Sequence, residues 1–300
     1  DFIACVERVT AEKDKLRGVI LASAKASFFA GADLKGVLRL TEQDAPEVYR
    51  NIEAVKAAFR KLELSGRPVV AAINGAALGG GWEICLAAHW RICIDDPKIE
   101  LGSPEVNLGL LPGAGGVTKM VRLLGLQAAL PLLAEGKLMR PAEAMKLALV
   151  DELVADRAAL GARARAWIAA NPEPKQPWDR KEYKIPGGGA RAPGAGMMLA
   201  VAPAVLTQRT RGLYPAPEAI LSCAVEGTLT DFDSAMRNES RYLAKLMTGQ
   251  VARNMITAFF FNLNAIKSGA SRPKNVPKWK ASRVGILGAG MMGAGIAWAN

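Results

Sequence analysis

The stretch PVVAAINGAALGGGWEICLAAHW, residues 68–90, restricts the fold more than any other part of the chain. Its first part is a continuous Val/Ala/Ile run without polar alternation, the pattern of a strand covered on both faces. The run breaks at Asn74 and Gly75, and Gly79, Gly80 and Gly81 then open an apolar helical pattern. A buried strand feeding a helix through a glycine turn is the repeating unit of a largely parallel α/β domain. RGVILAS and RICIDD read as further buried strands. Upstream of the glycines, Ile52, Val55, Phe59 and Leu62 recur at spacings of three and four and mark one face of a helix that ends near Ser65 and Gly66. GGVTKMVRLLG and PAEAMKLALV continue the alternation as two more helices.

The texture changes at Asn171. NPEPKQPWDRKEYKIPGGGARAPGAG is dense in Pro and Gly and has no sustained period, so it reads as a long surface connection. PEAILSCAVEGTL, DFDSAMRNESRYLAKLMT and QVARNMITAFFFNLNAI follow as helical patterns, and the polar stretch KSGASRPKNVPKWKAS leads into RVGILGAGMMGAGIAWAN. There an apolar run reads as a strand, and Gly288, Gly290 and Gly293 spell G-x-G-x-x-G, the glycine pattern of a dinucleotide-binding turn. Only seven residues follow Gly293, so a binding fold that starts there cannot finish within these residues. The expected organisation is an α/β domain over 1–170, a linker and helical segment over 171–280, and the opening of a second α/β domain over 281–300. The first residues read as strand-like, with no basic-then-apolar leader. MMLAVAPAVL and MITAFFF fall well short of the roughly 20 residues that a membrane-spanning helix needs, so no membrane helix is expected.

Composition narrows the chemistry. Cys5, Cys85, Cys93 and Cys223 lie far apart with no C-x-x-C pair, which argues against a zinc site or a disulfide framework and fits a reducing, intracellular setting. His89 is the only histidine, so no Ser-His-Asp triad, Cys-His pair or multi-histidine metal site can be assembled, and no metal is expected. Proton transfer falls to carboxylates, lysines, tyrosines or thiols. Residues 1–170 carry 22 Lys+Arg against 20 Asp+Glu, a net of +2, and the remainder 17 against 8, a net of +9. Such an excess suits a solvated basic surface, nucleic acid or a phosphate-bearing small ligand. Zinc-finger spacing, RNP-like aromatics and long Lys/Arg blocks are all missing from the sequence, so no nucleic-acid partner is expected.

Three stretches hold the candidate chemistry. At Gly79, Gly80 and Gly81, bare backbone before a helix offers N–H groups and a dipole to a developing negative charge; the same glycines also suit a tight, closely packed turn. No Lys-Ser/Thr follows them, which excludes a Walker loop. SFFAGADLKG is a small-residue turn whose Ala30, Gly31 and Ala32 leave another backbone donor accessible. IELGSPEVNLGLLPGAGGVTKM places Glu105 after Ser103-Pro104 and before a glycine-rich turn. Glu83 and Glu105 stand 22 residues apart, enough for a helix, a strand and a turn to bring them together, and each is embedded in small apolar sequence where a carboxylate is costly unless used or paired. Glu100 is a rival in the same stretch, although its flanks look like an ordinary exposed strand.

FFAGADLKG, VVAAINGAALGGGWEICLAAHWRI, LGSPEVNLGLLPGAGGVTKMVRLLG and GKLMRPAEAMKLALVDELV resemble, in order, the signature blocks of the crotonase, or enoyl-CoA hydratase/isomerase, superfamily over roughly residues 15–160. The helices from YPAPEAI onward, with VGILGAGMMGAGIA after them, are similar to the junction with a 3-hydroxyacyl-CoA dehydrogenase domain in multifunctional β-oxidation enzymes, of the kind that forms the α-subunit of the bacterial fatty acid oxidation complex. The resemblance implies a crotonase-like ββα spiral, then a helical linker segment and the first strand-turn-helix of a Rossmann domain. It implies that the backbone N–H groups of Ala32 and Gly80 form an oxyanion hole for an acyl-CoA thioester, that Glu83 activates water, and that Glu105 delivers a proton to Cα or shuttles one between Cα and Cγ. It places Ala30, Asp33, Leu34 and Lys35 along the CoA moiety, Gly288, Gly290, Met292 and Gly293 at an NAD site, and Asn264 near the dehydrogenase substrate. The hydratase itself needs no cofactor. The parent enzyme is expected to hydrate trans-2-enoyl-CoA and oxidise the 3-hydroxyacyl product with NAD; isomerase action on enoyl-CoA, other crotonase chemistry, or acyl-CoA binding without catalysis are the alternatives. A thiolase β-subunit is the implied protein partner, and the cytoplasm the implied location, with peroxisome or mitochondrion as alternatives. Departures from the family are Trp82, where a small residue or cysteine is usual, a slightly longer Glu83-to-Glu105 spacing, and a start too late to include the family's first strands.

Overall fold

The computed structural model describes residues 2–31, 33–277 and 280–299, and the chain divides into two compact units, Asp1–Phe261 and Asn262–Asn300. In the first unit, helix α1 (Phe2–Ala11) precedes β1 (Val19–Ala22), β2 (Phe29–Ala30), α2 (Leu34–Val37) and the long α3 (Ala45–Glu63). The central strand β3 (Val69–Ile73) and the short β4 (Ala77–Leu78) lead into α4 (Gly80–Ala87), and β5 (Trp90–Ile94) and β6 (Leu101–Gly102) follow. A 3-10 turn (Pro104–Leu108) then precedes α5 (Gly116–Leu124), α6 (Leu126–Ala134), α7 (Pro141–Lys146), β7 (Glu152–Val154) and α8 (Arg157–Ala170). Residues 171–194 hold only a 3-10 turn (Pro177–Asp179), as their Pro/Gly density predicts, before α9 (Ala195–Thr210), α10 (Pro215–Gly227), α11 (Phe232–Met247) and α12 (Gln250–Met255).

Two parallel sheets organise these elements. Four strands run in the order β1-β3-β5-β7, and three short ones in the order β2-β4-β6. The unalternated VVAAI run has the expected consequence: Val69, Ala71 and Ile73 enter the main core, while Val70 and Ala72 face a second core closed by Leu160, Ala164 and Ile168 of α8. Helices α10 and α11 pack directly on α3, α5 and α6, so these two helices belong to the same compact unit as the sheets.

The small sheet positions the site. Phe29 pairs with Ala77 and Ala30 with Leu78, while Ala77 pairs with Leu101 and Leu78 with Gly102. Three chain segments therefore leave the sheet side by side: the Gly31 turn, the Gly79-Gly80 turn, and the Ser103-to-Glu105 turn. Close approach is enforced at Gly81, where an added Cβ would lie 2.1 Å from the Phe29 carbonyl oxygen. Gly81→Ala is expected to cost roughly 1–3 kcal/mol, since the obstruction is backbone and has no rotamer to give, and a fall in the urea midpoint with unchanged slope checks it.

Two sequence expectations are corrected. The strand-like start is helix α1: Phe2 and Val9 pack against the core around buried Val6, a three-and-four spacing that overrides the β-branched composition, and Phe2 meets Phe59 edge-on at 5.2 Å. The apolar run before Gly288 forms no strand among the described residues, because a strand exists through ladder partners and none accompanies it. The second unit instead contains α13 (Leu263–Lys267) and α14 (Met291–Ala299). Among the described residues no helix is long and apolar enough to cross a membrane.

Candidate active site

Gly79 precedes α4 with φ 58° and ψ −127°, a conformation that glycine alone adopts readily, and its N–H donates to the Gly102 carbonyl at 2.9 Å. The turn is thereby tied to the strand that delivers Glu105. An added Cβ on Gly79 would meet Glu105 Oε1 at 2.9 Å, whereas one on Gly80 would meet nothing within 4 Å. Gly80 is the first residue of α4, so its N–H has no acceptor within the helix, and none of the described residues supplies one. Ala32, the other implied donor, lies outside the described residues. Its neighbour Gly31 has φ 95°.

Glu83 sits one turn into α4 and is only 3% exposed. Its Oε1 accepts N–H bonds from Ala114 at 2.6 Å and Gly116 at 2.8 Å, the residues that lead into α5. Its Oε2 meets no donor among the described residues. Burial, reinforced by the negative charge of Glu239, pushes the Glu83 carboxyl up to about 7 against the pull of the two amides and of Lys56. Glu105 lies in the 3-10 turn with a buried Oε2 that has no hydrogen-bond partner among the described residues. Burial, the Glu83 charge and then that of Glu239 push it up to about 8. Glu105 thus feels the charge of Glu83, and protons on the two carboxyls are coupled. Glu100, the rival carboxylate, pairs instead with Arg140 at 3.2 Å, with both side chains substantially exposed.

Two side chains that motif reading did not identify complete the surroundings. Glu239 of α11 is fully buried, accepts from Gly115 N–H at 2.6 Å and Thr118 N–H at 2.8 Å, and pairs with Lys56 of α3 at 3.0 Å. Both lie on the apolar stripe of their helix, Lys56 between Ile52 and Phe59, Glu239 between Met236 and Leu243. A charge on an apolar stripe was the available signal. His89 has a structural part: its Nδ1 accepts from Val69 N–H at 3.1 Å and its Nε2 lies 3.1 Å from the Glu63 carbonyl. Burial lowers it to about 4 and keeps it neutral. Trp82 is fully buried and fills the main core.

The remaining expected contacts are less concentrated. Ala30 ends β2, and Asp33 accepts from Lys35 N–H at 3.0 Å to cap α2; both Asp33 and Lys35 are exposed. Leu34 packs into the main core, so its side chain is taken up internally. In the second unit Asn264 is exposed on α13. Gly288 has φ 98°, Gly290 precedes α14 and Met292 lies in its first turn, and a Cβ on Gly293 would fall 1.8 Å from the Gly288 carbonyl oxygen. These residues form a glycine turn entering a helix, with no paired strand behind it among the described residues.

Residues 1–174 match the family model described as enoyl-CoA hydratase/isomerase. Among solved structures, the chain is similar to human mitochondrial delta3-delta2-enoyl-CoA isomerase, at 21% identity over 88% of this chain and 86% of that one with a TM-score of 0.58. It is likewise similar to enoyl-CoA hydratase from Bacillus halodurans, at 20% identity over 86% and 87% with a TM-score of 0.56. At these identities both likenesses speak to the fold. An enoyl-CoA hydratase from Polaromonas sp. JS666 is 26% identical over 56% of this chain and 66% of that one, with a TM-score of 0.51. With over half of its length inside the family match, and two parallel sheets that carry the glycine turns, the chain belongs to the enoyl-CoA hydratase/isomerase family.

Proposed function

We propose that the first unit hydrates trans-2-enoyl-CoA to 3-hydroxyacyl-CoA. One observation carries this reading: the ends of three parallel strands bring together a turn whose Gly80 N–H has no acceptor among the described residues and two buried, neighbouring glutamates whose protonation is poised near neutrality. In this reading Gly80, with Ala32, holds the thioester oxygen as it gains enolate character, an interaction of roughly 3–4 kcal/mol per donor in comparable oxyanion holes. Glu83, fixed through Oε1, presents Oε2 to a water and takes its proton as the water adds at Cβ. Glu105 gives its proton to Cα. The exposed Asp33 and Lys35 border the CoA moiety, alongside Ala30.

Incubation with crotonyl-CoA tests the reading: the enoyl absorbance should fall and 3-hydroxybutyryl-CoA should appear, and a protein that binds crotonyl-CoA without converting it would refute it. The pH dependence follows from the two roles. A base must be ionised and an acid protonated, so kcat/KM is expected to rise through about 7, where Glu83 ionises, and to fall through about 8, where Glu105 does. A bell-shaped profile with apparent values belonging to the pair checks this.

Double-bond isomerisation is the second reading, favoured by the asymmetry of the carboxylates. Glu83 has one oxygen held by two amides, whereas Glu105 has an unpartnered oxygen and could shuttle a proton between Cα and Cγ unaided. Conversion of a trans-3-enoyl-CoA by Glu83→Gln, with hydration lost, would select it. The glycine turn at Gly288 and Gly293 supports reading the second unit as the junction to a 3-hydroxyacyl-CoA dehydrogenase domain, as in multifunctional β-oxidation enzymes that pair with a thiolase. NAD oxidation of the hydration product would be the next step in such a parent.

A further inference from the structure

The first turn of α5 has an unusual arrangement of caps. Its preceding residue Gly115 has φ 109° and no side chain to bond the orphan amides. Two buried carboxylates from other elements do so instead. Ala114 and Gly116 donate to Glu83 of α4, while the alternate donors Gly115 and Thr118 donate to Glu239 of α11. The two glutamates therefore grip the same turn from two sides. A Cβ on Gly116 would lie 2.8 Å from Glu83 Oε1, so the fit on the Glu83 side leaves no slack. On the other side Lys56 fixes Glu239 at 3.0 Å and also donates to the Met236 carbonyl at 2.6 Å, which ties α3, α11 and α5 together.

We propose that Glu239, held by Lys56, is a positioning residue for Glu83: it locks the α5 turn whose amides orient the Glu83 carboxylate, so that the helical segment beyond residue 174 completes the acid–base site. This rests on the hydratase reading given above. The charged groups facing Glu83 are Glu239 from α11, Lys56 from α3 and Glu105 from the 3-10 turn. The cations of α5 are engaged elsewhere, Lys119 with Glu63 and Arg122 with the Gly227 and Thr230 carbonyls. Glu239 raises the Glu83 carboxyl and Lys56 lowers it. A charge that merely sits near Glu83 would shift its ionisation and leave turnover alone, whereas loss of a residue that fixes the amides at 114–116 slows turnover as well.

The test uses Glu239→Gln and Lys56→Met in the full chain, with crotonyl-CoA as substrate and a thermal melt as the check on folding. Glu239→Gln should lower kcat by about tenfold or more, as loss of an orienting partner does, with KM changed far less. The ascending limb of its pH profile should move to lower pH, because a negative neighbour is gone. Lys56→Met should move the same limb to higher pH. Opposite displacements together with the fall in kcat support the proposal, and a folded Glu239→Gln variant that keeps wild-type kcat, or folded variants whose limbs both stay at the wild-type position, overturn it. If either single variant fails to fold, the double variant removes both charges together and avoids an unpaired buried ion. A folded double variant should still be slow, since Gly115 and Thr118 have lost their charged acceptor; wild-type kcat in that variant overturns the proposal. Glu83→Gln separates the two levels. If it retains hydration, the hydratase reading falls and this inference with it; if it is inactive while the limbs stay fixed, only the role of Glu239 falls.

Discussion

Glu105→Gln is expected to lower kcat for crotonyl-CoA hydration by about 10²- to 10⁴-fold, the usual share of a general acid, and at the same time to make the folded protein more stable in mild alkali. Glutamine keeps the shape and loses the proton. The stability gain follows from burial. Glu105 has an ordinary value near 4.5 and is pushed up to about 8 in the fold. A carboxyl raised in this way stabilises the fold fully only below its unfolded value, and that contribution is lost as pH rises through the folded one. Above about 8 the wild type holds an ionised carboxylate whose Oε2 finds no donor among the described residues, and an unsatisfied buried group of this kind costs roughly 1–3 kcal/mol or more when charged. The variant is spared that cost. Melting temperatures should therefore differ in its favour at pH 9 and converge at pH 4. A variant that is inactive and less stable at both pH values would mark Glu105 as a structural carboxylate. Glu83→Gln should match the loss of activity, but its gain in stability should be smaller, because two amides already compensate the Glu83 charge.

The difference between these glutamates shows what the sequence could and could not carry. Glu83 and Glu105 were legible because each stands in a small, apolar stretch next to a glycine turn, and because VVAAI and RICIDD announce strands that return those turns to one place. The strand-glycine-helix unit is local, so its meaning survives without tertiary information. Which carboxylate is held and which is left unpartnered is settled by Ala114 and Gly116, residues 31 and 33 positions from Glu83. Lys56 and Glu239 are separated by 183 residues, and amphipathic helices with one charge on the apolar stripe are compatible with many partners. The start of the chain failed for a different reason. In FIACVERVTA the β-branched residues suggest a strand, whereas the three-and-four spacing of the packed residues Phe2, Val6 and Val9 makes a helix against α3. Periodicity outweighed propensity there, as it does whenever one face must be buried. At the other end, the run before Gly288 has strand composition and no ladder partner among the described residues.

Glu63→Gln is expected to be the most destabilising single substitution without a change in side-chain shape. Lys119 and Glu63 are both fully buried at their side chains and form an ion pair beneath Phe59 and Trp178, whose rings lie 5.7 and 5.9 Å from the ammonium. Neutralising Glu63 leaves that ammonium without its counter-charge, and breaking a buried pair from one side costs about 3–5 kcal/mol. For a unit of this size that is a fall in melting temperature of roughly 6–20 °C. Lys119→Met should cost clearly less. It leaves Glu63 with a second cation, Arg60 at 3.1 Å, which is itself anchored by Asp179. The two single variants are thus expected to be unequal, and the double variant Glu63→Gln/Lys119→Met should recover most of the loss, since no unpaired charge remains. Equal losses would mean that Arg60 does not hold Glu63. Because Lys119 lies on α5, one turn beyond the amides that hold Glu83, Glu63→Gln should also lower kcat below the melting range, in proportion to how far the first turn of that helix depends on the pair beneath it.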